Sequence, residues 1–551
     1  MKLKTSYFNP EALRKNITRF APVWALYTLF WLMVVFVTQD GRASVYFAMD
    51  MGEILQFTPI VNLCYALLCA QLLFGDLYRS HMCNALHAMP VRREGWFLTH
   101  VISGLLFSLV PNLLVALVAA VFMGAAWVVA PLWLMGNVLQ YFFFFGAAVL
   151  SAYCVGNRFA MALVYGIIQF FSLIAYWLIE SLYAPMLYGV VIDLEFFCLL
   201  SPIYTMCVSQ TYVDIDFNRV MGVVTNASVQ IMDGWGYLVI CAGIGLVLMA
   251  VAWMIYRRRN LESAGDFMAV KALGPVFLVL YCLCGGAVGY LFFSLLAGEE
   301  SLFFLVVGMT VGWFTGRMLL ERTVRVFRKK NLVGYAVLIL VFFVSLGLTK
   351  LDPLGIIRWM PKAQQVESVT LTTGGVYYQD NTKYVLTTPE DIAAVLTVHR
   401  YGIVNQDADY NRSPDVGVTL SYQMKNGTKA TRHYAVDLYT EEADLLQAIF
   451  SRKEFVLDTH EDAQSLAGKL RKIVNDYTGE GIQGDEMKGL LEAVMQDCEA
   501  GNMAQERAFQ KEALAVLVLV YKENMPERYI WVYDDCEHTW EWIKAHNWRV
   551  E

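Results

Sequence analysis

The sequence predicts an α-helical polytopic membrane protein of about nine spans, followed by an α+β extracellular domain. Three observations carry this reading. The 551 residues are 57% hydrophobic with a mean hydropathy of +0.46, a level usual for multi-span chains and rare for soluble ones. Charge divides unevenly: residues 1–350 hold 22 Lys/Arg against 17 Asp/Glu, and residues 351–551 hold 20 against 32. Past residue 350 the long apolar runs give way to period-2 alternation and helix-capping signals.

Residues 1–21, "MKLKTSYFNPEALRKNITRF" and the alanine after it, are too long and polar for a cleavable signal. They read as a short amphipathic cytosolic helix leading into the first span. A span needs about 20 apolar residues. Runs of that kind fall near 22–38, 54–75, 97–126, 132–155, 159–180, 234–256, 275–297, 301–319 and 333–349. With the N-terminus inside, 19 of the 22 basic residues of this half fall on the inner side, and only Arg42, Arg219 and Lys350 fall outside. That bias predicts a plasma-membrane protein with residues 350–551 outside the cell. The outer loop 181–233 holds apolar patches and the acids Asp193, Glu195, Asp214 and Asp216, and is expected to form short interfacial helices. Seven of the 11 cysteines lie in or beside the spans, where apolar burial explains them, including the pair Cys282 and Cys284. Of the rest, Cys198 and Cys207 share the outer loop and Cys498 and Cys536 the outer domain, and disulfides persist outside the cell.

In the outer domain, "VESVTLTTGGVYY" and "DVGVTLSYQMKNGTKATRHYAVDL" alternate as strands, with Asn426-Gly427 as a hairpin turn. Thr388 caps a helix with Pro389 at its first position, and Thr440 caps another. "EDAQSLAGKLRKIVNDY" and "GDEMKGLLEAVMQDCEAG" read as amphipathic helices. "ALAVLVLVY" and "ERYIWVY" read as strands, and a last helix follows Asp535. A strand, a cap and an acidic first turn recur three times. This is either an internal repeat or capping chemistry alone, and the second is the simpler reading. The domain is acidic, so phosphate is repelled and no nucleic-acid partner is expected.

The strip "CNALHAMPVRREGW", from Cys83 to Trp96, interrupts two spans. Met82, Ala85, Leu86 and Met89 fall at i, i+3, i+4 and i+7, one apolar stripe on a short helix that Pro90 ends. Arg92 and Arg93 then face headgroups or an acidic partner. An ordinary interfacial helix with inner-side arginines would look the same by periodicity.

"NALHAMPVRREGWFLTH" resembles the segment between spans 2 and 3 of type-2 ABC exporter permeases, and "YRRRNLESAGDFMAVKALGPVF" resembles the inner loop after their sixth span. The whole pattern is similar to permeases of Gram-positive type that carry a long extracellular C-terminal domain. The resemblance implies that residues 78–94 form the coupling helix, docking a separate cytosolic ABC ATPase through Met82, Leu86, His87, Met89, Arg92, Arg93 and Glu94. It implies a second inner contact at Arg257, Arg258, Arg259 and Glu262. It further implies a homo- or heterodimer of permease subunits in membrane lipid. ATP and Mg would be bound by the partner, with no cofactor in this chain.

The residues agree with a chain that is not itself an enzyme. The only Gly-Lys pair, Gly468-Lys469, precedes Leu470 and lacks the P-loop pattern, and no hydrolase, metalloprotease or kinase motif occurs. Within the spans the polar residues picked out are Asn62, Gln71, Asn112, Gln140 and Gln169, all uncharged. A secondary transporter usually needs an intramembrane ionisable group. Asn62, Gln71, Asn112 and Gln169, with Pro111 midway in a long span, are candidates for polar or gating roles. Interhelical hydrogen bonding is the blander reading and the better supported one. Two rivals remain: a membrane sensor or resistance module whose outer domain recognises a peptide or envelope ligand, and a surface-anchored enzyme, for which nine spans are far more than an anchor needs.

Overall fold

The computed structural model describes residues 8–39, 44–89, 91–191, 199–220, 223–259, 261–297, 301–373, 383–405, 415–437, 440–457, 461–503, 514–522, 528–546 and 548. Pro90, the acids Asp193 and Glu195, Cys198, and the side chains of Leu86 and His87 lie outside the described residues. The chain forms two compact units. The first comprises residues 1–180 with 193–343, and the second 181–192 with 344–551.

The first unit is helical. Its elements are α1 (Pro10–Arg19), α2 (Ala21–Gln39), α3 (Ser44–Ile54), α4 (Thr58–Leu73), α5 (Ser80–Ala88), α6 (Arg93–Met123), α7 (Val129–Cys154), α8 (Arg158–Leu178), α9 (Trp235–Arg258), α10 (Gly274–Ala297) and α11 (Leu302–Glu321). α12 (Lys329–Leu351) leads into the second unit. Among the described residues eight helices are long and apolar enough to cross a membrane, and α3 with α4, bent by 55°, makes a ninth if counted as one span. Eight of the nine runs read from the sequence are single helices of this kind, the second run falls in the bent pair, and the chain has the make-up of a multi-pass membrane protein. The second run differs in form, because Pro59 in the first turn of α4 cannot donate back across the break to extend α3. The Thr58 hydroxyl closes the corner on the Leu55 carbonyl at 2.8 Å. α1 starts on Asn9, whose side chain accepts from the Ala12 N–H, and is fastened to α6 by Asn16 Nδ2 donating to Ser103 Oγ at 3.0 Å.

α7 is the most enclosed span. A Cβ on its Gly146 would lie 2.3 Å from the Gly245 carbonyl oxygen of α9, so the two backbones touch there and nothing larger than glycine fits. The loop expected to hold interfacial helices also forms a hairpin, β1 (Val213–Val220) with β2 (Val223–Ile231). The correction follows from "VDIDF", where Val213, Ile215 and Phe217 alternate with Asp214 and Asp216, a period of two rather than 3.6.

The second unit holds two four-stranded antiparallel sheets. One is β4 (Lys383–Leu386), β3 (Val366–Thr373), β5 (Asp415–Met424) and β6 (Lys429–Asp437), in that spatial order. The other is β10 (Arg528–Val532), β9 (Ala515–Tyr521), β7 (Leu470–Asn475) and β8 (Gly481–Ile482). Helix α13 (Pro389–Val404) lies between the second and third strands of the first sheet, and α14 (Glu441–Phe450) follows its fourth. α15 (Ala463–Lys469) opens the second half. α16 (Asp485–Glu499) and α17 (Glu537–Ala545) then take the places that α13 and α14 hold in the first. Counted from their own first strands, both sheets run 2-1-3-4 with every pairing antiparallel. The region is therefore a β-β-α-β-β-α unit built twice, each with its own core. Capping chemistry alone, the simpler sequence reading, is too weak an account of the recurrence.

A second correction concerns "EDAQSLAGKLRKIVNDY". Only its first half is helical, capped by Asp462 accepting from the Ser465 N–H. From Leu470 the chain is β7, burying Leu470 and Ile473 against β9. The β-branched Ile473 and Val474 fit the pleat, and tertiary pairing wins over the helical spacing of the charges. One cap and one turn fall as expected: Thr388 Oγ1 accepts from the Asp391 N–H at 3.2 Å, and Gly427 takes φ +84° in the β5–β6 turn. Cys498 and Cys536 are both buried and are not joined in a disulfide, and the Cys536 thiol donates to the Asn502 carbonyl at 3.4 Å.

Residues 187–191 belong to this second unit and run along the edge of β6. The Gly189 carbonyl accepts from the His433 N–H at 3.0 Å, and Val190 bridges Arg432. Gly189 has φ +71°, and a Cβ there would meet the Tyr434 ring at 2.1 Å. Both the backbone conformation and the space demand glycine.

Candidate functional site

Two groups of predicted residues sort themselves differently in the folded chain. The first surrounds α5. A 3-10 turn over Gly75–Tyr78 brings the chain to Arg79, whose extended backbone (φ −109°, ψ 115°) starts α5. Met89 ends it, again extended (φ −72°, ψ 148°), as a residue before proline prefers. Among the described side chains of α5 only Cys83 is buried. Met82 is 36% exposed and Met89 48%, with Ala85 exposed between them. Met82, Ala85 and Met89 of the apolar stripe thus face away from the helical unit, and the described part of α5 sits on one thiol. Burial raises the Cys83 pKa, while the Arg259 and Arg93 charges beside it pull it down.

Arg92 is exposed at the start of α6. Arg93 turns sideways, its Nη1 donating to the Arg259 carbonyl at 3.3 Å. Glu94 pairs with Arg257 at 3.9 Å, and that guanidinium also lies 4.9 Å above the Trp253 ring. Both partners of the ion pair are partly solvated, so it fixes geometry more than it adds stability.

The inner loop after α9 was expected to offer Arg257, Arg258, Arg259 and Glu262 to a partner. Arg258 and Glu262 are exposed. Arg259 is not: it is 8% exposed and points into the unit. Its Nη1 donates to the Ala152 and Tyr153 carbonyls at 3.3 and 3.4 Å, and its Nε to Ser263 Oγ at 3.3 Å. Burial lowers its pKa from the ordinary arginine value. The rest of the loop is laced to the turn between α7 and α8. The Gly265 N–H donates to the Gly156 carbonyl at 2.7 Å, and the Ala269 N–H to the Cys154 carbonyl at 2.9 Å. A Cβ on Gly156 would lie 2.3 Å from the Ser263 carbonyl, so loop and turn are in backbone contact. Arg322 closes the far end with an ion pair to Asp266 at 2.8 Å.

The second group lies inside the helical unit. Asn62 of α4 donates to Asn137 Oδ1 of α7 at 2.7 Å, and Asn137 donates to Asn112 Oδ1 of α6 at 3.3 Å. The Tyr27 hydroxyl of α2 reaches Asn112 at 3.2 Å, and Asn112 donates to Ser108 at 3.0 Å. Thr58 and Gln140 share a hydrogen bond of 2.5 Å, and Gln140 donates to the Leu55 carbonyl at 3.1 Å. Four helices thus meet through one buried chain of amides and hydroxyls, the arrangement that the blander sequence reading expects. Pro111 is buried inside an unbroken α6. It has no N–H for the Phe107 carbonyl four residues back. The Tyr65 hydroxyl supplies that bond at 2.8 Å.

Gln71 and Gln169 stand apart from this network. Gln71 is half-exposed and donates to the Arg158 carbonyl at 3.4 Å, while Gln169 is fully buried on α8 with both amide atoms unpartnered. Sequence reasoning missed Tyr27, Thr58, Ser108 and Asn137. The i, i+3 pair Asn137 and Gln140 and the i, i+4 pair Thr58 and Asn62 were the signal, each placing two polar groups on one face of an apolar helix.

Among the described residues no three His, Cys, Asp or Glu side chains converge as a metal site would. What the first group can do is present a short apolar helix with basic residues at both ends, held on a braced base. No protein-family model, curated protein or solved structure matches this chain.

Proposed function

We propose that this chain is the membrane-embedded permease subunit of an ATP-driven ABC exporter, and that a separate cytosolic ATPase grips α5. One observation carries the reading: α5 turns Met82, Ala85 and Met89 outward while seated on Cys83. An apolar stripe that the fold leaves open, with Arg79 and Arg92 exposed at its ends, suits an apolar groove rimmed by acids. In this reading α5 and the N-terminus are cytoplasmic, and residues 350–551 lie outside the plasma membrane. The partner binds ATP and Mg, and two permease subunits, alike or different, assemble in the lipid. The amide network then serves as a satisfied joint between spans rather than as an ion pathway.

The test is copurification from native membranes. Met82→Asp with Met89→Asp puts two charges into the stripe without touching the apolar spans, so the permease should insert at its normal level. The wild-type chain should bring down an ATPase, and the double variant should lose it by tenfold or more, since truncating a docking centre commonly costs more than about 1 kcal/mol per residue. Equal recovery from both would overturn the docking role of α5. A wild-type chain that brings down no ATPase would leave the sensor reading in its place.

A further inference from the structure

Arg259 is buried and charged, yet among the described residues no carboxylate lies within ion-pair distance of it. Its partners are instead the carbonyls of Ala152 and Tyr153 at the end of α7 and the Ser263 hydroxyl in its own loop. Its own carbonyl receives Arg93, the first residue of α6. α5, whose buried foot is Cys83, packs against the turn Leu261–Ser263, which Arg259 holds through the Ser263 hydroxyl. A guanidinium offers five donors in a rigid plane, so one side chain can tie several carbonyls at fixed angles. Four chain segments therefore converge on one residue: the base of α5, the start of α6, the end of α7 and the loop leaving α9.

We propose that Arg259 is a positioning residue that makes α5 move as one body with the ends of α7 and α9, so that a push on α5 reaches those two spans directly and not only α4 and α6, its neighbours along the chain. This rests on the docking reading of α5. Two further observations point the same way. The Val155–Met268 bridge and the hydrogen bonds from Gly265 and Ala269 fasten the loop to the α7–α8 turn independently of Arg259. Gly146 and Gly245 hold α7 and α9 backbone to backbone further along the spans. A displacement of the loop therefore has no slack to dissipate into before it reaches both helices.

The first measurement uses the purified full-length chain without any partner. Amide hydrogen exchange over residues 81–88 should quicken by about tenfold in Arg259→Ala, as expected when the turn that α5 rests on loses the hydrogen bond holding Ser263 to that guanidinium. Exchange inside α6, α7 and α9 should stay at the wild-type rate. Arg259→Lys, which keeps the charge and can reach one carbonyl, should recover part of the protection. Exchange of α5 unchanged in Arg259→Ala would overturn the brace. Uniformly faster exchange in all helices, with no recovery by Lys, would overturn it too, because that marks a general folding role.

The second measurement uses the chain copurified with its ATPase. Spin labels at Asn84 and Glu262, both exposed, should keep one distance distribution before and after trapping with ATP and vanadate. Separation of the two labels on trapping would show that α5 and the loop move apart, and would sink the one-body motion. Failure of the wild-type chain to recover an ATPase would remove the docking reading, and the exchange experiment alone would then decide whether Arg259 braces α5.

Discussion

Asp391 receives both arms of the Arg452 guanidinium, Nη1 to Oδ2 at 3.0 Å and Nη2 to Oδ1 at 2.5 Å. The carboxylate sits in the first turn of α13, nearly buried, while the arginine that meets it follows α14. The pair ties the first turn of α13 to the residues that follow α14, two helices that pack against each other. The Arg452 hydrogen bonds hold the Asp391 carboxyl below its ordinary pKa, against the opposing effect of burial. A folded-state pKa below the unfolded one gives stability that is present above the unfolded pKa and lost as pH falls through the folded one. Arg452→Ala should therefore destabilise the C-terminal region by about 2 kcal/mol near pH 7, because a buried charge loses its partner. The difference between variant and wild type should shrink below pH 4. Hydrogen exchange of the β5 and β6 amides against pH reads both outcomes, and a pH-independent difference would mean that the pair is not the cause.

His399 gives the second pH prediction. It is fully buried on α13, hydrogen-bonded through Nδ1 to the Tyr422 hydroxyl at 2.9 Å and tilted against the Tyr434 ring. Burial, and then the nearby Arg432 charge, lower its pKa to about 4. The unfolded chain takes up a proton below about pH 6.5 and the folded chain does not until about pH 4, so stability should be lost progressively across that window. The loss should reach about 2–3 kcal/mol at the lower end. His399→Gln should flatten the profile between pH 6.5 and 4 while lowering stability at pH 7.5 by about 1 kcal/mol for the altered hydrogen bond. The same β5 and β6 amides report it. A wild-type profile already flat over that range would show that His399 is solvated.

Asn62 and Asn137, 2.7 Å apart, sit at the centre of the amide chain between α4, α6 and α7. Asn137→Leu leaves Asn62 and Asn112 short of partners in an apolar surrounding. Removing one partner of a buried polar pair costs about 1–3 kcal/mol. Asn62→Leu with Asn137→Leu removes both ends of the central bond and should cost less than the sum of the single changes. Thermal unfolding in detergent, read as the midpoint of helix loss for the singles and the double, tests this. Additive losses would mean that the two amides do not act through one another.

Eight of the nine apolar runs were legible as single helices because lipid imposes a length and a composition on every span, while the bend between α3 and α4 was not. The cap at Thr388 and the turn at Gly427 were legible because their chemistry is local. The β7 strand was not, since "LRKIVN" carries helix-compatible charges and becomes a strand only beside β9. Nor was the inward turn of Arg259. In the string "RRR" nothing separates it from Arg257 and Arg258. What buries it is three acceptors, Ala152, Tyr153 and Ser263, the first two over a hundred residues away. The β-β-α-β-β-α duplication was hidden for a related reason: its two halves share strand order and helix placement, while their loop lengths differ and β8 is only two residues long.

Sidedness is the last prediction, and it follows from charge. Nineteen of the 22 basic residues of the first 350 fall on the side that carries α5, which predicts that side to be cytoplasmic. Nine spans then put Gly427, at the β5–β6 turn, outside. Gly427 has open space around the position of a Cβ, and Glu262 is exposed, so a cysteine is reachable at either place. Gly427 has φ +84°, so the substitution strains the turn by about 1 kcal/mol, which the hairpin should survive. The natural thiol at Cys64 is exposed and sets the background, so labelling is read against the unsubstituted chain. On intact cells an impermeant maleimide should label Gly427→Cys above that background and leave Glu262→Cys at it, and lysis should bring Glu262→Cys up to full labelling. Three crossings, α10, α11 and α12, separate the two sites whether α3 and α4 are counted as one span or as a re-entrant pair, so the comparison tests those crossings and the sidedness of the C-terminal region. Equal labelling of the two before lysis would overturn the three crossings, and labelling of Glu262→Cys with Gly427→Cys at background would reverse the sidedness that the charges predict.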